Sequence, residues 1–335
     1  MTPAREPRDR REIRLLAIDP SARSFADRHF AELAQLLCRG DLLVVNDAAT
    51  LPASLSMDGG ELRLVSMHED GSWRAVLMGP GDWRTPTEHR AAPARFEAGS
   101  RLRIGTSLEA RVEEVSSLSP RLVTVRFDRK DAELWQALYA SGTPIQYAHL
   151  SQPLDLWSVQ TSYASRPWAV EAPSAGLPLG WDLLRELRAA GVGLARLTHA
   201  SGLSATGDPA IDAALPLPER YEIPESTAVA VAETRAARRR VVAVGTTVVR
   251  ALEGSVHRHG EVRPGAGVTD LRIGPGFVPR VVDGLVTGMH TPAESHYSLL
   301  GAFVPGDLLE ASFRHALAAG YLGHEFGDAT LVLQP

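Results

Sequence analysis

Cysteine and lysine are nearly missing from this chain, and no long apolar run interrupts it. Cys38 is the only cysteine among 335 residues, which excludes an intramolecular disulfide and any Cys-rich zinc site. It follows Leu36 and Leu37, so a buried structural thiol is expected rather than a nucleophile. Lys130 is the only lysine, a skew most simply read as coding bias. No stretch approaches the roughly 18 apolar residues of a membrane span, and the charged segment from Arg5 to Arg14 lacks an apolar run with a cleavage site. A cytoplasmic chain with no membrane partner is expected. No pair of histidines has His-Glu-x-x-His spacing, so no metal is expected. The Gly-Lys-Ser/Thr ending of a phosphate loop and the Gly-x-Ser-x-Gly elbow of an α/β hydrolase are also missing.

What is present suits a soluble globular protein of two domains: 44% hydrophobic residues, 22% charged residues and a formal net charge of −5. That charge argues against non-specific coating of nucleic acid, although a local Arg patch can still grip phosphates. Phe30, Leu33, Leu36 and Leu37 recur at helical spacing and predict a helix across Phe25 to Leu37, closed by Gly40. Leu42 to Val45 then reads as a strand buried on both faces. From Ser56 to Phe127 short alternating runs, separated by Asp58-Gly59-Gly60 and Gly79-Pro80-Gly81, predict a small all-β barrel or sandwich. Helices capped by Asp131 and Asp307, a helix over Trp181 to Ala190, and a helix over Pro224 to Arg240 feeding the strand Val241 to Val244 complete an alternating pattern. The fold class expected is a layered α/β domain, residues 1–55 and 131–335, interrupted by an inserted small all-β barrel domain, residues 56–130.

Two segments carry chemistry. Val241 to Val244 runs through Gly245 into Thr246-Thr247, with Arg250 one turn on. Free N–H groups and two hydroxyls at a helix start suit an anion or ribose hydroxyls, and Arg250 suits a carboxylate or phosphate; from the motif alone an ordinary capped helix with a solvated Arg is the favoured alternative. Gly274-Pro275-Gly276-Phe277 is either a turn presenting an aromatic face to a ligand or a plain turn with a core Phe. His290 follows as an acid–base candidate or a satisfied structural histidine.

In order and spacing, these pieces resemble the family of queuosine-pathway S-adenosylmethionine:tRNA ribosyltransferase-isomerases, also called QueA. The resemblance is carried by Gly40-Asp41-Leu42-Leu43-Val44-Val45-Asn46, Gln160-Thr161 with Tyr163, Ala172-Pro173-Ser174-Ala175-Gly176-Leu177 and Val244-Gly245-Thr246-Thr247 with Arg250 and Leu252-Glu253. Pro275-Gly276-Phe277, Val282-Asp283-Gly284-Leu285-Val286-Thr287 and Phe326-Gly327-Asp328-Ala329 continue it. It implies an α/β domain with an inserted barrel and S-adenosylmethionine as a consumed substrate, with no metal. The ribosyl portion passes to the aminomethyl group of a deazaguanine base in tRNA, giving epoxyqueuosine and releasing adenine and methionine. Site residues implied are His199, Glu219, His290 and Asp328 as catalytic groups. Gln160, Pro173, Ser174, Gly176, Gly245, Thr246, Thr247, Arg250, Glu253, Gly276, Phe277 and Asp283 are implied to bind substrate. Thr246, Thr247 and Arg250 would hold the ribose or methionine end and Phe277 would stack on adenine; packing or capping is the alternative at each position, above all for the glycines and Pro173.

The chain also departs from the family's pattern. Asp47-Ala48-Ala49-Thr50-Leu51-Pro52-Ala53-Ser54-Leu55 stands where the family has Thr-Arg-Val-Ile-Pro-Ala-Arg-Leu. Ala214 to Glu219 keeps only the acid of a His-x-Met-His-x-Glu segment, and Tyr321-Leu322-Gly323-His324-Glu325-Phe326 replaces Tyr-Arg-Phe-Phe-Ser-Tyr. Fewer histidines and arginines mean fewer proton-transfer groups and phosphate contacts. Transfer to tRNA is therefore weighed against a paralogue with a small-molecule acceptor and against a non-catalytic ligand-binding descendant; tRNA is a doubtful partner on this ground.

Overall fold

In the computed structural model, which describes residues 1–334, a nine-stranded mixed sheet organises the larger part of the chain. Its order is Gly265–Thr269, Glu219–Ile223, Gly193–His199, Leu42–Asn46, Val241–Val244, Gly284–Gly288, Ala329–Leu333, Arg14–Asp19 and Ser24–His29. The middle four strands, from Gly193–His199 to Gly284–Gly288, run parallel. The near-continuous apolar composition of Leu42–Asn46, Val241–Val244 and Gly284–Gly288 follows from burial on both sides. Leu42, Val44, Val241, Ala243 and Leu285 enter one hydrophobic core, whereas Leu43, Val45, Val242, Val244 and Val286 enter the core on the opposite face. Each such side chain removed from water contributes about 1.5–3 kcal/mol, so the sheet centre is the most firmly fixed part of the scaffold.

The second unit is a closed antiparallel barrel. Ser54–Met57, Gly60–Met67, Trp73–Met78, Leu122–Phe127, Leu108–Val115 and Arg101–Ile104 pair in that order, and Met57 opposite Ile104 closes the ring. The expected α/β fold with a barrel insertion is therefore what the chain forms. Helix Asp131–Ser141 supplies Leu134, Ala137 and Leu138 to the barrel core, and Gly142–Thr143 adds a short strand beside Ser54 and Leu55. Val170, Leu203 and Ile211, from beyond the barrel in sequence, sit in the same core.

Several local expectations are corrected. Ser24–His29 is an edge strand against Arg14–Asp19, so the helix expected from Phe25 shrinks to a 3-10 turn, Phe30–Glu32, and one helical turn, Leu33–Leu36. The helical spacing was real, because Phe30, Leu33 and Leu37 do share one core, but it spans too few residues to propagate a helix. Cys38 is exposed, not buried: Leu37 takes the inward position, and the Cys38 N–H bonds Asp41 as the chain turns. Asp131 and Asp307 fall inside the first turns of their helices, behind Lys130 and Pro305 at the caps. Among the described residues no helix is long and apolar enough to cross a membrane.

Candidate active site

The parallel strands all end on one side, and the chemistry-bearing loops gather there, the usual location of ligands in sheets of this kind. Asn46, the last residue of its strand, ties three elements together. Its Oδ1 accepts the His199 N–H at 2.9 Å, and its Nδ2 donates to the His199 carbonyl at 3.0 Å and to Thr247 Oγ1 at 3.4 Å. Gly245, with φ +90°, turns strand Val241–Val244 into helix Thr246–His259 and places Thr246 and Thr247 in its first turn.

Behind that turn lies a buried polar cluster. The side chain of His199 is fully enclosed, with Nε2 at 3.5 Å from Glu219 Oε2. Glu219 accepts the Gly202 N–H at 2.8 Å and is ion-paired with Arg250, whose Nε donates to the Leu271 carbonyl at 3.1 Å. Among the described residues, both ring nitrogens of His199 and Nη2 of Arg250 are buried with no hydrogen-bond partner. Burial, with the Arg250 charge added, holds His199 well below the usual imidazole range, so the ring is neutral near pH 7. Burial raises Glu219 despite the opposing pull of Arg250.

On the same side a cavity opens between Arg8 and Arg10, Trp157 and Gln160, Ser174 and Ala175, Gly288, and the stretch His324 to Ala329. Ala175 on its wall lies against Gly245, where a Cβ would come within 3.7 Å. Past Gly288, His290 bonds Thr287 Oγ1 through Nε2 at 2.9 Å and Glu294 through Nδ1 at 3.0 Å, and stacks on His296 with centroids 4.9 Å apart. Burial, helped by His290, pushes His296 down to about 4. Glu294, which burial alone would raise, is drawn to about 2 by its bonds to His290 and Thr291.

The residues singled out from the sequence thus divide. His199, Glu219, Gly245, Thr246, Thr247 and Arg250 form one connected group at the strand ends. Gln160, Ser174 and Asp328 line the cavity. Gln160 does so while clamping the Thr50 backbone N–H and carbonyl, each at 2.9 Å. Pro173 precedes the 3-10 turn Ser174–Gly176, and Gly176 is small because a Cβ there would run into the Tyr163 hydroxyl. Asp328 is saturated by Arg8, Arg14 and the N–H groups of Arg14 and Leu322 at 2.9–3.0 Å. Gly276 takes a positive φ in an open turn, and Phe277 packs partly buried on the helix-side core. Glu253 and Asp283 lie elsewhere: Glu253 binds the N–H groups of Arg280, Val281 and Val282, and Asp283 binds Val241 N–H at the opposite end of the sheet, where burial raises its pKa. Sequence reasoning left out Asn46, Glu294 and His296 as site residues, although a lone Asn ending a fully apolar strand was a visible signal.

Comparison with known proteins assigns the chain to a family. A family model described as "Queuosine biosynthesis protein" matches residues 2–332. The S-adenosylmethionine:tRNA ribosyltransferase-isomerase of Anaeromyxobacter dehalogenans (strain 2CP-C) is 38% identical, covering 98% of this chain and 94% of that protein. That of Methylobacterium sp. (strain 4-46) is 35% identical, covering 98% and 93%. A crystal structure of S-adenosylmethionine tRNA ribosyltransferase from Thermotoga maritima is 27% identical, with a TM-score of 0.55 over 99% of this chain and 96% of that one. On the family match and these whole-length likenesses, the chain belongs to the queuosine biosynthesis protein family.

Proposed function

We propose that this chain consumes S-adenosylmethionine and transfers and isomerises its ribosyl portion onto the aminomethyl group of a deazaguanine base in tRNA. The observation that carries the reading is the enclosed His199–Glu219–Arg250 cluster with three unpartnered polar atoms, set beside the Gly245-Thr246-Thr247 turn. A buried polar group without a partner costs about 1–3 kcal/mol, a cost that a bound substrate supplying partners removes. S-adenosylmethionine brings a sulfonium that acidifies the C5′ protons and makes methionine a leaving group. Deprotonation at C5′ needs a neutral base near pH 7, which His199 is; the proton it takes up lies 3.5 Å from the Glu219 carboxylate, whose proton affinity burial raises, and can pass from this pair to departing adenine. Arg250 orients Glu219 and offers its free Nη2 to a carboxylate or hydroxyl of substrate. Thr246, Thr247 and the free N–H groups behind Gly245 face the ribose side.

The names of the whole-length relatives favour tRNA over the small-molecule acceptor and over a non-catalytic descendant. A cytoplasmic location goes with this proposed reading. The test is release of adenine and methionine from S-adenosylmethionine in the presence of tRNA carrying the aminomethyl-deazaguanine base. Turnover is expected with that tRNA and not with the free base. His199→Ala should lower it by about 10²–10⁴-fold, the range of a general acid–base contribution. Turnover with the free base alone, or binding of S-adenosylmethionine without turnover on either acceptor, overturns the proposal.

A further inference from the structure

His324 and Glu325 form part of the cavity wall. Across from them, 176 residues away in sequence, His149 Nε2 lies 2.9 Å from Glu325 Oε2. The rings of His149 and His324 stack with centroids 4.2 Å apart at 27°. One nitrogen of each histidine and one oxygen of Glu325 lie within 4.8 Å of one another. The backbone at His324 has φ +67°, a conformation that costs a residue other than Gly about 1–2 kcal/mol. The turn is held by Gly327 N–H on the His324 carbonyl at 2.9 Å, so consecutive side chains at 324 and 325 converge on one point. Among the described residues no protein group hydrogen-bonds the His324 ring, and the residue is exposed, which leaves its nitrogens open to an ion from solvent. The trio His290, Glu294 and His296 is close-set as well, but both nitrogens of His290 are committed to Thr287 and Glu294, and the second oxygen of Glu294 is held by Thr291.

We infer that His149, His324 and Glu325 bind a divalent transition-metal ion of the zinc class. Two imidazoles and a carboxylate suit such an ion, and three protein ligands leave one position for water or a substrate oxygen. Donor atoms within 4.8 Å of one another are close to the spacing of ligands that share one ion at bonds of about 2.0–2.2 Å. The ion would pin the segment at His149 to the wall at Glu325. The sequence conceals this site because its ligands come from two distant segments with no motif spacing.

The inference stands apart from the proposed reaction, and its test uses no turnover. Metal-stripped full-length protein is titrated with Zn²⁺ by calorimetry and with Co²⁺ by visible absorption. One Zn²⁺ per chain is expected, together with the d–d absorption of low-coordinate Co²⁺. His149→Gln and His324→Asn should each weaken Zn²⁺ binding by at least about 100-fold, since losing a ligand exceeds the 10–100-fold typical of outer-shell changes. Asn tolerates the positive φ at 324, and melting of the stripped variants shows whether they remain folded; if either does not, Glu325→Gln supplies the same comparison. His296→Ala should leave Zn²⁺ binding unchanged. The site is refuted by the lack of stoichiometric Zn²⁺, by Zn²⁺ that persists when His149 and His324 are both replaced, or by equal loss in His296→Ala.

Discussion

Two buried glutamates on either side of Arg250 in sequence do different jobs, and only the fold separates them. Glu219 has one oxygen on Gly202 N–H and the other on Arg250, and it abuts unpartnered nitrogens of His199. Glu253 is fully enclosed, and its carboxylate receives the N–H groups of Arg280, Val281 and Val282 at 2.9–3.1 Å. That arrangement leaves it no capacity for substrate and makes it a clamp on the approach to strand Gly284–Gly288. Hydrogen bonds to a charged group contribute about 1.5–3 kcal/mol each, with partial compensation on removal. Glu253→Gln keeps the shape but loses the charge and sets an amide N–H₂ against backbone donors. Denaturant unfolding should show a loss of about 2–4 kcal/mol, while affinity for S-adenosylmethionine of the folded protein stays within twofold. Unchanged stability with lost affinity would assign Glu253 to the ligand instead. From the sequence both acids were plausible site residues, because their partners lie 17 to 31 positions away and carry no local signal.

Elements were legible where one pattern acted alone. Val241 to Val244, Gly245 and the following helix read correctly because four apolar residues, a glycine and a hydroxyl pair need no distant partner to specify strand, turn and helix start. The segment from Phe25 to Leu37 failed because edge pairing with Arg14–Asp19 outweighed helix propensity over its first half. Gly245 offers a test of how firmly the first of these units is built. At φ +90° a Cβ would meet only Thr247 Oγ1 at 3.4 Å and Ala175 at 3.7 Å. Gly245→Ala is therefore limited by backbone strain rather than by collision. It should cost about 1–3 kcal/mol of stability and weaken S-adenosylmethionine binding by more than tenfold, because relaxing the turn moves the N–H groups of Thr246 and Thr247. Calorimetric titration at a temperature where the variant is folded separates the two effects; affinity equal to wild type would remove this turn from the ligand site.

At the scale of the whole molecule, strand direction decided which sequence candidates met. Residues after the parallel strands, such as His199, Thr246 and Thr247, share one end of the sheet, whereas Asp283, which precedes its strand, lies at the other. Periodicity cannot supply that information, since it fixes faces but not the order or sense of strands. The same long-range construction couples the barrel to the sheet. Gly142–Thr143 pairs with Ser54 and Leu55, and Val170, Leu203 and Ile211 complete the barrel core from the α/β side. Tyr147 donates its hydroxyl to Glu171, which also accepts the Ser204 N–H at 3.1 Å on that boundary. A barrel that borrows core residues from its host should not melt alone. Calorimetry should therefore show one transition, and S-adenosylmethionine at 100 times its dissociation constant should stabilise the entire transition by about 2.7 kcal/mol. Ile211→Ala removes a fully buried side chain from the barrel core, a cluster that does not include Thr246, and should lower the melting temperature of the whole molecule by the equivalent of about 2–5 kcal/mol. Two resolved transitions, with the ligand raising one and Ile211→Ala lowering the other, would show instead that the barrel and the ligand-binding sheet fold as independent units.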